Sequence, residues 1–67
     1  MYAIETEQET DGRWIAEVPE LHGVMAYGTT RDEAVRRVQA LSLRVLADRL
    51  EHNEPLPQVE NVFSLVG

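Results

Sequence analysis

The sequence predicts an α+β fold of order β-β-β-α-β, two layers thick, with one helix packed on a four-stranded sheet. Three observations predict it. Apolar and polar residues alternate on both sides of Asp11-Gly12, as they do in a hairpin. Thr30 and Glu33 have capping-box spacing at the head of a stretch whose apolar residues recur every three or four positions. Residues 59–66, after Pro55 and Pro57, form a short apolar-rich run of strand length. At 67 residues the chain is read as a single domain, 1–67.

The first strand is expected within residues 1–9, where Tyr2, Ile4, Thr6 and Gln8 alternate with Ala3, Glu5, Glu7 and Glu9. The second is expected at 13–18, Arg-Trp-Ile-Ala-Glu-Val. The alternation also selects the loop between them. A two-residue Asp11-Gly12 turn would set Glu5, Glu7 and Glu9 beside Val18, Ala16 and Trp14. A three-residue loop, Thr10-Asp11-Gly12, instead pairs Glu9 with Arg13 and Gln8 with Trp14, with Gly12 in the left-handed position of a bulge. Ile4, Thr6, Trp14, Ala16 and Val18 then share one face, and Glu5, Glu7, Glu9, Arg13, Ile15 and Glu17 share the other. The longer loop is therefore chosen, because a slip of one residue would undo the sorting.

Pro19-Glu20-Leu21-His22-Gly23 reads as a turn, with Leu21 anchoring it to the core. A short third strand follows at 24–28. Val24 and Ala26 are small enough to lie under a helix, which leaves Met25 and Tyr27 on the opposite face. The helix is expected from Thr30 to about residue 52, ending near Asn53. Its core stripe is Ala34, Val38, Leu41 and Val45, widened by Val35, Leu46 and Leu50. The helix returns the chain over the sheet, and the fourth strand, 59–66, is expected to join beside the first. No further element remains for the second sheet face.

Composition narrows the chemistry. A chain this short buries only roughly 60% of its unfolded surface, so a disulfide, a metal or a second subunit is the usual support. Cysteine is absent, and His22 and His52 are too few and too far apart to suggest a zinc site. No cofactor is expected. Self-association is the support that remains, so a homo-oligomer, dimer or tetramer, is expected. No apolar run approaches the ~20 residues of a membrane span, and the N-terminus does not resemble a signal peptide. A cytoplasmic protein is the resulting expectation.

The formal net charge is −6, and all six cations are arginines. Direct nucleic-acid binding is not expected, because phosphates call for a basic face. Arg36, Arg37, Arg44 and Arg49 read as ion-pairing residues, with Asp32, Glu33, Asp48 and Glu51 close in sequence. Glu5, Glu7, Glu9 and Glu17 admit two readings, a solvated outer face or a docking face for a basic protein. Ile15, Met25 and Tyr27 lie among them as an apolar patch that suits either a heterologous partner or a second copy. Trp14 shares a row with Ala16 and Val18 and is read as core.

Two motifs add a family resemblance. Asp11-Gly12-Arg13-Trp14-Ile15-Ala16-Glu17-Val18-Pro19-Glu20-Leu21-His22-Gly23 resembles the HicB antitoxin family, as does Gly28-Thr29-Thr30-Arg31-Asp32-Glu33-Ala34. The family pattern is a hairpin, then A-x-x-P-x-L-x-G, then G-x-T-x-x-E-A opening a helix. The resemblance implies a β-β-β-α-β core like a partial RNase H fold. It implies a type II antitoxin that binds and masks a HicA toxin, a small basic RNA-cleaving protein. Many relatives carry a further DNA-binding domain, for which these 67 residues offer no candidate segment. The resemblance does not imply an enzyme. The inward positions Ile4 and Thr6 carry no acid, Asp32 and Glu33 sit only at the helix cap, and Glu60 is alone, whereas two-metal nucleases cluster several carboxylates. The candidate partner-binding residues are thus Glu5, Glu7, Glu9, Ile15, Glu17, Met25 and Tyr27. The alternative function is a stand-alone oligomeric interaction module of the same fold.

Overall fold

A computed structural model describes residues 2–55 and residue 66. Strands β1 (Glu5–Gln8), β2 (Trp14–Glu17) and β3 (Met25–Gly28) precede a single helix, α1 (Arg31–Glu51). The strands form one antiparallel sheet in the order β1-β2-β3, and α1 lies mainly over β3 and β2. The described fold is α+β, a three-stranded sheet with one helix. The expected fourth strand, 59–66, lies outside the described residues except for Val66, which is exposed.

The hairpin adopts the register selected by the hydrophobic pattern. Gln8 faces Trp14, Glu7 faces Ile15, Thr6 faces Ala16 and Glu5 faces Glu17. The Glu9 N–H donates to the Arg13 carbonyl at 2.7 Å and closes the Thr10-Asp11-Gly12 loop. Gly12 has φ +93°, a left-handed conformation that a residue with a Cβ adopts only under strain. The strands are shorter than the alternation suggested. At the start of the chain the Ala3 N–H turns to the Glu20 carboxylate at 3.4 Å, a side-chain contact with the second turn.

That second turn is folded back on itself. Leu21 N–H bonds to Val18 O, Val24 N–H bonds to Leu21 O, and Val18 N–H bonds to Val24 O, at 3.0, 3.0 and 3.1 Å. The effect is to aim Leu21 inward, where it is fully buried. The core consists of Ala16, Val18, Leu21, Val24, Ala34 and Val38, flanked by Tyr2, Ile4, Trp14, Ala26, Val35, Leu41, Val45 and Leu46. Trp14 is half-buried at its rim, on the face expected of it. Ser42 is buried in the helix face and satisfies its hydroxyl by donating to Val38 O at 2.7 Å. Leu50 departs from expectation: it is 50% exposed and does not widen the core stripe. At 100° per residue Leu50 lies about 120° around the helix from Val38, the middle of the buried positions Ala34, Val38 and Ser42, so it faces away from the sheet.

Both helix ends are capped. Thr30 Oγ1 accepts the Glu33 N–H at 3.1 Å. The reciprocal bond differs from the expected box: the Glu33 carboxylate accepts the Thr29 N–H at 2.8 Å rather than that of Thr30. That bond, opposed by partial burial and aided by Arg37, lowers the Glu33 pKa below its ordinary value. At the C-terminus Asn53 has φ +57°, its N–H donates to Leu50 O, and the Glu54 N–H donates to Arg49 O. This is the Schellman arrangement, with asparagine in the left-handed position. His52 Nδ1 lies 2.7 Å from Asp48 O, which raises the imidazole pKa, with further help from the Asp48 charge.

The joint between sheet and helix is the tightest point of the fold. A Cβ on Gly28 would lie 2.5 Å from the Ala34 backbone nitrogen and 3.0 Å from the Glu33 carbonyl carbon. Backbone cannot yield there as a flexible side chain would, so Gly28→Ala should destabilise the domain by about 1–3 kcal/mol or more. An unchanged denaturant midpoint would show that β3 and α1 can separate freely. Thr30→Ala should cost about 1 kcal/mol through the lost cap. The Glu33 carboxylate binds its proton less readily when folded. Its stabilisation is therefore complete above the ordinary carboxylate range and is lost as pH falls through the lowered value. Thermal unfolding of wild type and Glu33→Gln should accordingly converge in acid. A gap that stays constant with pH would exclude the charge as its source.

Candidate protein-binding face

Backbone bonding parity defines the sheet face turned away from α1. The Val18–Val24 bond makes the Val18, Ala16 and Trp14 rows the hydrogen-bonded pairs of β2 with β3. The Glu9–Arg13 bond makes Glu7–Ile15 and Glu5–Glu17 the hydrogen-bonded pairs of β1 with β2. The two assignments agree, because Ile15 and Glu17 bond toward β1 while Ala16 bonds toward β3. Ile15–Tyr27 and Glu17–Met25 are then non-hydrogen-bonded pairs, the kind whose side chains approach most closely.

The outer face is built of two cross-strand rows. Glu7, Ile15 and Tyr27 form one, and Glu5, Glu17 and Met25 form the other. Glu9 extends the set beside Arg13 at the hairpin end. All seven candidate residues therefore fall on one face. Glu5 and Glu7 are exposed, Glu9, Ile15 and Glu17 are half-buried, and Met25 and Tyr27 are 44% and 40% exposed. An open depression lined by Glu5, Thr6, Glu7, Ile15 and Glu17 reaches the β1 edge. Among the described residues no helix or strand covers this face.

Charge and grease are segregated across the sheet. Carboxylates occupy β1 and one end of β2, and the apolar side chains lie on β2 and β3. Glu5 and Glu17 are direct cross-strand partners, roughly 5.5 Å apart at Cα by antiparallel geometry. Like charges in that relation destabilise a sheet. Nothing in the fold demands acid at both positions, since each points away from the core.

Arg13 belongs to this face, although the sequence-level candidate set omitted it. Its guanidinium sits 4.8 Å from the centre of the Tyr27 ring and bonds the Asp11 carboxylate at 2.9 Å. The Asp11 pKa is lowered chiefly by the bond from the Arg13 backbone N–H, which outweighs the opposing desolvation, and the Arg13 charge adds a smaller push in the same direction. Its place on the face is legible in the pattern, since Arg13 shares the parity of Ile15, whereas its contact with Tyr27 depends on strand pairing. Arg13 is tethered at both ends of its guanidinium and walls off the hairpin end of the patch.

Among the described residues no group of three or more histidine or acidic side chains is placed to hold a metal ion. No described helix is long and apolar enough to cross a membrane. Comparison of the chain with protein-family models, curated proteins and solved structures finds no match.

If the Glu5–Glu17 facing is a true repulsion, Glu5→Gln should stabilise the isolated domain by about 0.2–1 kcal/mol at low salt. Added salt should erase the gain. A destabilised Glu5→Gln protein would mean that the carboxylate has a favourable contact within the fold.

Proposed function

We propose that this chain is a type II antitoxin that binds a small basic HicA-type ribonuclease toxin through the outer sheet face and masks it. One observation carries the proposal: a face left uncovered by the described residues that joins an apolar patch, Ile15, Met25 and Tyr27, to a row in which Glu5 pairs directly with Glu17. A cationic partner would convert the Glu5–Glu17 repulsion into attraction, while the patch would supply the desolvated centre that protein interfaces need. The acid rows would stand where RNA phosphates otherwise meet the toxin, so masking would be both steric and electrostatic. The HicB-like motifs supply the toxin class, and the RNase H-like character of the fold, with a fourth strand beside β1, belongs to the same proposal. Met25 and Tyr27 also support the alternative of an oligomeric interaction module with no toxin partner, because apolar residues attract a neutral surface as readily as a basic one.

Glu7→Arg combined with Glu17→Arg should weaken binding to a basic toxin partner by about two orders of magnitude. The circular dichroism spectrum should be retained. Affinity would be measured by titration calorimetry at two salt concentrations, with toxicity scored on co-expression with the toxin. Undiminished affinity in the double variant, or toxicity that persists beside the wild-type chain, would overturn the antitoxin reading.

A further inference from the structure

Helix α1 carries a second apolar face that the core does not use. Ala40, Leu43, Ala47 and Leu50 are all exposed, with Leu43 at 68% and Leu50 at 50%. Their spacings are three, four and three, which is the seam of a two-stranded coiled coil. At 100° per residue the seam lies on the side of the helix opposite Ala34, Val38 and Ser42, the buried positions. It is not the overflow of the core stripe. It points away from the sheet, on the far side of the molecule from the acidic face.

We infer that this seam docks a second copy of the same chain, helix against helix and antiparallel. The sequence of side-chain sizes sets the direction. A parallel pair would match like with like, leaving a gap at each Ala–Ala layer and crowding each Leu–Leu layer. An antiparallel pair places Leu43 against Ala47 of the second copy and Leu50 against Ala40, so every layer holds one large and one small side chain. The flanking positions agree with that arrangement. On one side Glu51 comes opposite Arg37 of the second copy, whose guanidinium also donates to its own Tyr27 carbonyl at 3.0 Å and lies 3.7 Å from Glu33, and the same relation repeats across the two-fold axis. On the other side Leu46 meets its own counterpart at the axis, and Gln39 comes opposite Asn53. Arg44 approaches its counterpart near the axis, with Asp48 one turn further on as a neutralising group. The surface is self-complementary, as a two-fold interface must be. A core of six buried apolar side chains among the described residues gives the domain reason to use it.

The pairing is independent of the proposed toxin-binding face and leaves that face open on both copies. Sedimentation velocity on the full chain should give a particle of twice the 7.6 kDa chain mass at micromolar concentration. Leu43→Glu should weaken association by about 100-fold, the size of a central interface anchor, with an unchanged circular dichroism spectrum because Leu43 is exposed. Ile15→Glu, on the sheet face, should leave the dimer intact. Because the chain has no cysteine, orientation can be read from introduced thiols. A mixture of Ala40→Cys and Leu50→Cys chains should form the mixed disulfide in preference to either homodimeric one. A monomer into the high-micromolar range, a dimer unaffected by Leu43→Glu, a dimer lost in Ile15→Glu, or preferential Leu50→Cys self-linkage would each overturn the inference.

Discussion

The three-residue loop between β1 and β2 decides which side chains the helix sees. Gly12, at φ +93°, absorbs the bulge that sets Gln8 against Trp14. With that register Ile4, Thr6, Trp14, Ala16 and Val18 share the core face. One residue of slip would carry Glu5, Glu7 and Glu9 to the core face, where three unpaired carboxylates could not be accommodated at any tolerable free energy. The turn at Gly23, the close approach at Gly28 and the cap at Thr30 then follow in sequence, each assuming that the first hairpin has the right face inward. The position of the acidic face is thus settled by a glycine at the opposite end of the sheet from Glu5.

Much of this was legible because period-two and period-3.6 patterns are independent and both were clean. The hairpin register, the burial of Leu21, the helix start at Thr30 and its end near Asn53 all rest on side chains whose local physics agrees with their tertiary placement. The departures have a common origin. Glu33 reaches Thr29 instead of Thr30, and Ala3 bonds Glu20 instead of a strand, because a free carboxylate can select among nearby N–H groups that no periodicity ranks. Leu50 was misassigned because a stripe of leucines and valines was read as one face when the helix carries two. Pattern locates apolar residues but does not say which of two stripes the sheet will cover, and Leu50 lies with Ala40, Leu43 and Ala47 on the outer one. For the site the pattern gave membership of a face but not its internal arrangement. That Glu5 faces Glu17 directly, and that Arg13 lies over Tyr27, are consequences of pairing between strands distant in sequence.

The acidic face departs from what stability alone would select. A solvated outer sheet face is most stable with opposite charges across strands and polar β-formers between them. Here acid faces acid, and the apolar residues are gathered beside them rather than dispersed. Arg13, on the same face, is occupied by Asp11 and Tyr27 at the hairpin end. Local conflicts of this kind concentrate where a surface is selected for what it meets rather than for the fold itself.

Both surfaces left uncovered follow from having one helix for one short sheet. Among the described residues one helix shields one sheet face and leaves the other open; the same helix presents its own reverse side, and at 21 residues it is too long for the strands to occupy completely. The two exposed surfaces differ in kind. The sheet face is asymmetric, acid at one side and apolar at the other, and pairing it with itself would bring carboxylates together in at least one orientation. The helix face alternates small and large along its length and becomes complementary to itself on reversal. A charged, polarised surface suits an unlike molecule, and a repeating neutral one suits its own copy. Were both proposed contacts made, association through the helices would set two acidic faces outward, so that partners bound to both would gain from one another's tethering without any contact between them.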